Sequence, residues 1–478
     1  MPTTVDRRPT AGTDPTPRRR VDLRRITLWT LVRVGAVVAA VLCARWAVHK
    51  YGRSYSFFDM KIYHGAMVWW TSGHDLYQFV APKTTLGFTY PPFAALVMAP
   101  MALLPTMAAG WVNTVISVAA LALVLTWVLV PVADRYGWPR WFTVALAVPL
   151  AWATEPVRET LGFGQVNLLL AALIYADVVA LKHRSKVASG TATPSGGTLR
   201  RLWTSGALAG VGVGLAAAIK VTPALFIGYF VVTRQWRAAI VSAVTAVGAT
   251  LLTFLVMGGD AATYFTSILF DTGRIGEVDA TANQSLAGLL ARLYDSPTTP
   301  TLMWLSFAML LLAVGMTRAA TAHREGDETA AFTLVGLTAN AISPISWSHH
   351  LVFLVPALVI LMDTALRRRS AARGFATRGA FTRGPGGIPA LAGLPAAIAA
   401  LGIYAVFVVS PIWRYEHKLS EGVSHYHDGF IGALGENSLV LIIIALIALL
   451  PWRAGAEPAF YPEPALARRR AAAAAIPD

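Results

Sequence analysis

A single cysteine, Cys43, occurs in 478 residues, and it lies within an apolar run. That excludes a disulfide framework and a thiolate metal site and leaves the thiol as a small buried hydrophobe. Charge is scarce as well: 14% of residues are Asp, Glu, Lys or Arg, against roughly 25% in soluble globular chains. Acids are the scarcer sign, 25 against 40 Lys and Arg. No Walker-type phosphate loop, GxGxxG, GxSxG or HExxH occurs, so nucleotide hydrolysis, serine-esterase and tight zinc chemistry have no local signature.

What is abundant is apolar sequence. Hydrophobic residues make up 55% and the mean hydropathy is +0.55. Apolar runs of about bilayer length recur from end to end, which predicts an all-α polytopic membrane protein. The net charge of +15 does not indicate nucleic acid, because the basic residues sit in short clusters between apolar runs, not on one aromatic-studded face. Residues 1–26 read as a disordered basic tail, 27–452 as one transmembrane domain and 453–478 as a second tail. The first apolar segment lacks a small-x-small cleavage site and reads as an uncleaved span.

Spans are expected near 27–48, 109–131, 141–155, 165–182, 204–219, 222–233, 237–257, 301–318, 329–343, 351–366, 387–413 and 437–451. The Pro-punctuated segment 92–105 is too short to cross and suits a re-entrant or interfacial helix. With that segment kept on one side, "RRRVDLRR", "DRYGWPR", "KHRSK", "TRQWR", "REGDE", "RRRSAARG" and the last "RRR" share one face. The positive-inside rule then gives about twelve spans in a plasma membrane, both termini cytoplasmic, and a long first outer loop with interfacial helices. The outer segments hold most of the histidine. Any chemistry is expected outside.

In "SYSFFDMKIYHGAMVWWTSGHDLYQF" one carboxylate, Asp59, stands among apolar residues at the membrane surface. Desolvating a carboxylate is costly, so its expected task is that of a general base, the plainer reading being a helix N-cap. Lys220, in "AAAIKVTPALF", is a lone cation between apolar segments, suited to a lipid phosphate or to snorkelling. Arg158 and Arg274 are further phosphate candidates. His349 and His350 stand where a loop meets a span; vicinal rings make a poor metal clip, so a phosphate or hydroxyl donor is the better reading. No metal ion or cofactor is expected. Tyr63, Tyr77, Tyr90 and Gln165 are expected to line a substrate groove. Should Asp59 be only a cap, the base is to be sought at Glu155, Glu159, Asp271 or Glu277.

Five segments in order carry a resemblance: "FFDMKIYHGAMVW…GHDLYQF…GFTYPPFAALVMAP", "GQVNLLLAALIYAD", "GVGLAAAIKVTPALFIGYFVVTRQWRAA", "NQSLAGLLARL" and "SPISWSHHLVFLVPALVIL". Together, over roughly residues 45–365, they resemble the actinobacterial glycosyltransferase family 87 of the GT-C superfamily, typified by polyprenol-phosphate-mannose-dependent α-1,2-mannosyltransferases. The resemblance implies an outward-facing site that moves mannose, with inversion, from a polyprenyl-monophosphate carrier to a mannose hydroxyl of a glycolipid or lipoglycan. It implies Asp59 as the base, at the place of the family's acidic residue in the first outer loop, and a donor-side role for one of the "SWSHH" histidines and for Lys220.

Two alternatives stand beside this reading. An arabinofuranosyltransferase using a polyprenyl-phosphate arabinose donor would share the architecture. A transporter or lipid flippase would use broken helices and an intramembrane cation, though the two halves show no internal repeat.

Overall fold

The computed structural model describes residues 23–377 and 392–456. The expected disordered tails and the basic clusters near 380 and 468 lie outside these residues for the most part. The described residues are helical throughout, with only two isolated bridges, Val80 with Gly87 and Asn283 with Trp347.

The first helix, α1 (Leu23–Tyr51), is 29 residues long, enough to cross a hydrocarbon core about 30 Å thick. It presents Leu28, Trp29, Val38, Leu42 and Trp46 outward, as a helix facing lipid would. Cys43 shares that exposed surface. The expectation of a buried thiol is therefore corrected: the apolar run containing it is lipid-facing, not core.

Between α1 and the next long helix come α2 (Phe58–Thr71) and α3 (Pro92–Met98), the latter continued by a 3-10 turn over Ala99–Leu103. Seven residues plus five reach about 20 Å, short of a hydrocarbon core about 30 Å thick, and cannot cross. The chain enters α2 through two left-handed residues, Ser56 at φ 47° and Phe57 at φ 54°. Such angles are strained for residues with a Cβ. Here the Phe57 amide donates to the Gly162 carbonyl at 3.0 Å, and its ring packs edge-on against Trp111.

Then follow α4 (Thr106–Tyr136), α5 (Arg140–Trp152), α6 (Glu155–Phe163) and α7 (Asn167–Ala188). The last two meet at 118°. Gly164 makes the corner at φ 77°, with the Met60 side chain so close that a Cβ would lie 2.6 Å from it. The short α8 (Thr198–Thr204) precedes a pair of apolar helices, α9 (Val211–Ile219) and α10 (Leu225–Val232), separated by Lys220 in extended conformation and a 3-10 turn. After them come α11 (Trp236–Thr266), broken at Met257, α12 (Leu286–Leu293), α13 (Thr301–Arg324) and α14 (Glu328–Ile342). The C-terminal third holds α15 (Leu354–Thr377), α16 (Leu394–Val409), α17 (Gly429–Glu436) and α18 (Ser438–Leu449).

Every expected span has a helical counterpart, but length limits the count. Among the described residues four helices are long and apolar enough to cross, or seven if each of three bent pairs is one span. With nine and eight residues, α9 and α10 each fall well short of about 20. The protein is thus an all-α, multi-pass membrane protein with several broken or short elements.

The core forms around α14, which is buried on all sides from Glu328 to Ala341. A helix apolar all round belongs in such a position. Near its N-terminus, Arg453 bonds Asp327 at 2.8 Å and Asp363 at 3.1 Å. All three are buried. Placed by the sequence reading at the start of a tail, Arg453 instead pins the chain after α18 to the helical body.

Candidate active site

At the end of the body opposite Arg453's cluster, the connections between helices enclose a cavity of about 580 Å³. Its walls come from the start of α2, the α6–α7 corner, the α9–α10 break, the stretch after α11 and the loop between α14 and α15. These are the connections that charge distribution assigned to one common face. Asp59, Tyr63, Tyr90, Gln165, Lys220, Arg274, His349 and His350 all line it.

Asp59 sits in the first turn of α2, half-buried, and does not cap the helix: the cap position is Phe57 and no side chain caps it. Its Oδ2 instead accepts a hydrogen bond from Gln165 Nε2 at 2.7 Å. Gln165 is fixed in turn by a closed ring. Tyr63 donates to the Tyr90 hydroxyl at 3.2 Å, Tyr90 donates to Gln165 Oε1 at 2.9 Å, and Gln165 Nε2 returns a bond to the Tyr63 hydroxyl at 2.8 Å. The ring uses both hydroxyl protons and one amide proton, so the remaining amide proton has one destination, Asp59. Burial pushes the Asp59 carboxyl up to about 6, against the opposing pull of the Gln165 bond and of Lys220. A carboxylate of that basicity is still ionised near neutral pH and accepts a proton better than an ordinary aspartate.

In the same cavity, Lys220 Nζ lies 2.9 Å from His350 Nε2 and 3.3 Å from Asn167 Oδ1. The Tyr90 ring lies beneath it, 5.4 Å to the centroid. Burial brings the lysine down to about 7, opposed by Asp59. His349 and His350 stand perpendicular, 89° between ring planes, so the two present different edges, as vicinal side chains must. Burial and the lysine hold both imidazoles well below their usual value, hence neutral. His350 also accepts the Trp347 amide at Nδ1, at 3.1 Å. His349 Nε2 is buried without a hydrogen-bond partner.

Two expected residues sit elsewhere. Arg158 does not line the cavity. Its guanidinium is buried and committed to Glu155 and to the carbonyls of Tyr51, Ala153 and Val408. It has no donor directed at a phosphate. Tyr77 lies behind the wall, its hydroxyl donating to the Tyr90 carbonyl at 2.8 Å. Arg274 reaches the cavity while Nη2 donates to the Tyr77 carbonyl at 2.6 Å. Among the fallback bases, Glu155 pairs with Arg158, Glu159 takes the Ser348 hydroxyl, and Asp271 lines an exposed rim. Glu277 is exposed outside the cavity. Sequence reasoning missed Asn167, Trp413 and Arg53. Arg53 stacks its guanidinium 3.7 Å above the Trp413 ring, and both line the cavity.

Residues 88–344 match the family described as Glycosyltransferase family 87. The chain belongs to that family. It is therefore a glycosyltransferase, and the transporter reading falls away. A Mycolicibacterium smegmatis protein named polyprenol-phosphate-mannose-dependent alpha-(1-2)-phosphatidylinositol mannoside mannosyltransferase is 34% identical over 355 residues, 70% of this chain and 75% of the relative. A Mycobacterium tuberculosis protein of the same name is 32% identical over 366 residues, 73% of this chain and 80% of the relative. An alpha-(1->3)-arabinofuranosyltransferase of Corynebacterium glutamicum is similar over less: 29% over 247 residues, 50% of this chain and 51% of the relative.

Proposed function

We propose that this family 87 enzyme transfers mannose from a polyprenyl-monophosphate-mannose donor to a mannose hydroxyl of a phosphatidylinositol-mannoside-type glycolipid. The linkage formed is α-1,2, the anomeric centre inverts, and the cavity faces the outside of the plasma membrane. The observation that carries the mechanism is that Asp59, held by Gln165, lines the same cavity as Lys220 and His350. The names of the two mycobacterial relatives support the donor and the acceptor class. The arabinose alternative has the weaker and shorter likeness.

In this reading Asp59 accepts the proton of the acceptor hydroxyl as its oxygen attacks the anomeric carbon. The bond between that carbon and the phosphate oxygen breaks, and the electron pair stays on the departing polyprenyl phosphate. Lys220, the Nε2–H of His350 and Arg274 face the charge that develops there. Arg158 takes no part. The polyprenyl chain reaches the cavity from the bilayer along the short apolar helix α3, within the GT-C arrangement of about twelve crossings that the resemblance implies.

The test uses purified enzyme in nanodiscs with labelled polyprenyl-phosphate mannose and a short mannoside acceptor. Transfer by wild type that Asp59→Asn abolishes, with donor still bound, is the expected result. Transfer from the arabinose donor alone would replace the sugar. Transfer that survives Asp59→Asn would remove Asp59 from the mechanism.

A further inference from the structure

The hydrogen bonds around Lys220 fix where protons reside. The Trp347 backbone N–H points at His350 Nδ1 across 3.1 Å. A backbone amide only donates, so Nδ1 must be the bare nitrogen of the ring. The neutral imidazole then carries its proton on Nε2, and Nε2 lies 2.9 Å from Lys220 Nζ. An ammonium has no lone pair; it would set two donors against each other at that distance. An amine has one lone pair, and it accepts the Nε2–H.

The other neighbour agrees. Asn167 donates through Nδ2 to the His349 carbonyl at 3.0 Å, which turns its Oδ1 toward Lys220 at 3.3 Å. An amine accepting from His350 still has protons to give to that oxygen. An imidazolium at position 350 is excluded by the same Trp347 contact, because a protonated Nδ1 would meet the amide proton.

The charged and titratable groups around Lys220 are few. Asp59 approaches from α2, His349 and His350 from the loop between α14 and α15, and Tyr90 offers its ring face from the segment before α3. Among the described residues no carboxylate forms an ion pair with Lys220, and burial by itself favours the uncharged form.

We propose that Lys220 is a neutral amine in the empty cavity and takes up a proton as the donor's phosphodiester arrives, so that donor binding and proton uptake are one event. This rests on the donor-phosphate reading of the site given above. The proton is drawn from the buffer acid in solution, whose conjugate base stays there, and forms the new N–H bond with the amine's lone pair. The His350 Nε2–H, having lost its acceptor, turns to a phosphate oxygen. The donor and the acceptor of one hydrogen bond, His350 Nε2–H and the Lys220 amine, then both donate to one anion, and above about pH 7 the cation forms only with an anion to balance it. A buried lysine can change charge in this way; an arginine cannot.

The experiment is calorimetric titration of the full-length enzyme in nanodiscs with a short prenyl methyl phosphodiester. This probe has no ionisation of its own between pH 5.5 and pH 9 and cannot be turned over. Repeating the titration in buffers of different ionisation enthalpy counts protons. With the lysine titrating near 7, uptake of close to one proton per ligand is expected at about pH 8.5, falling toward zero at about pH 5.5. Lys220→Arg, verified as folded by its melting curve, is expected to bind with no uptake at either pH. Binding by wild type with zero uptake at both values would overturn the proposal and leave the phosphate site standing. No binding at either pH would overturn both.

Discussion

Gln165 donates its side-chain amide to Asp59 across 2.7 Å, and the same amide closes a ring with Tyr63 and Tyr90. Asp59 is thus oriented by an uncharged residue over a hundred positions away in the chain. Gln165→Leu removes a hydrogen bond to a charged acceptor, worth about 1.5–3 kcal/mol. We expect kcat to fall by roughly tenfold to a hundredfold. The lost bond stabilised the carboxylate, so the Asp59 pKa rises and the acid limb of the rate profile moves to higher pH. A pH–rate profile of the variant in nanodiscs measures both.

Wild type should lose activity as pH falls through about 6, where Asp59 becomes protonated. Asp59→Asn should reduce turnover by about a hundredfold to ten-thousandfold. The same change should raise thermal stability at neutral pH. The folded pKa lies above the unfolded value, so the native state favours the protonated carboxyl. Wild type therefore has its full stability below about pH 4 and loses part of it as pH rises through about 6. Asn carries no such penalty. Melting curves of the pair should differ at pH 7.5, with Asn higher, and converge toward pH 4; a wild type that is the more stable at pH 7.5 would contradict this.

Arg158 and Lys220 should separate cleanly in mutagenesis. Arg158→Gln leaves Glu155 buried without its cation, which costs about 3–5 kcal/mol. Its effect should be lost folding yield and a lower melting temperature, while protein that does fold keeps its donor KM. Lys220→Gln should show the reverse, a raised donor KM with little change in melting. Detergent-extracted yield, melting curves and donor titrations distinguish the two patterns.

Gly164→Ala places a methyl 2.6 Å from the Met60 side chain, at a backbone angle of φ 77°. Strain of this kind costs about 1–3 kcal/mol. Relief requires the corner between α6 and α7 to open, which moves Gln165 away from Asp59. Turnover should therefore fall with the melting temperature, and adding Gln165→Leu should cost little more.

The sequence disclosed a carboxylate where the bilayer makes one expensive, so Asp59 was legible. It disclosed His349, His350 and Lys220, polar groups beside apolar segments, for the same reason. Gln165 was legible as a groove residue only, because an amide gives no electrostatic signal and its partners come from α2 and the segment before α3. The placement of Arg158 away from the cavity has a local cause. Glu155 stands three residues before it, the spacing at which side chains on a helix meet, and only burial of both made that pair exclusive. Apolar composition marks lipid-facing and core helices alike, so it does not reveal that Cys43 is exposed. The short α9 and α10 show a related ambiguity: hydropathy reports a preference for the bilayer, and length decides whether a helix crosses it alone.

The corner at Gly164 also determines where α7 begins. A straight α6–α7 rod would carry its amide groups past the cavity; the 118° turn starts α7 at the cavity wall, with Asn167 in its first turn. The unpaired N–H groups of that end and the positive pole of the helix dipole, about half an elementary charge, terminate beside Lys220. An anion arriving there meets two kinds of attraction. One is built into the backbone and persists at every pH; the other is a side-chain charge that appears with the ligand and is surrendered when it leaves.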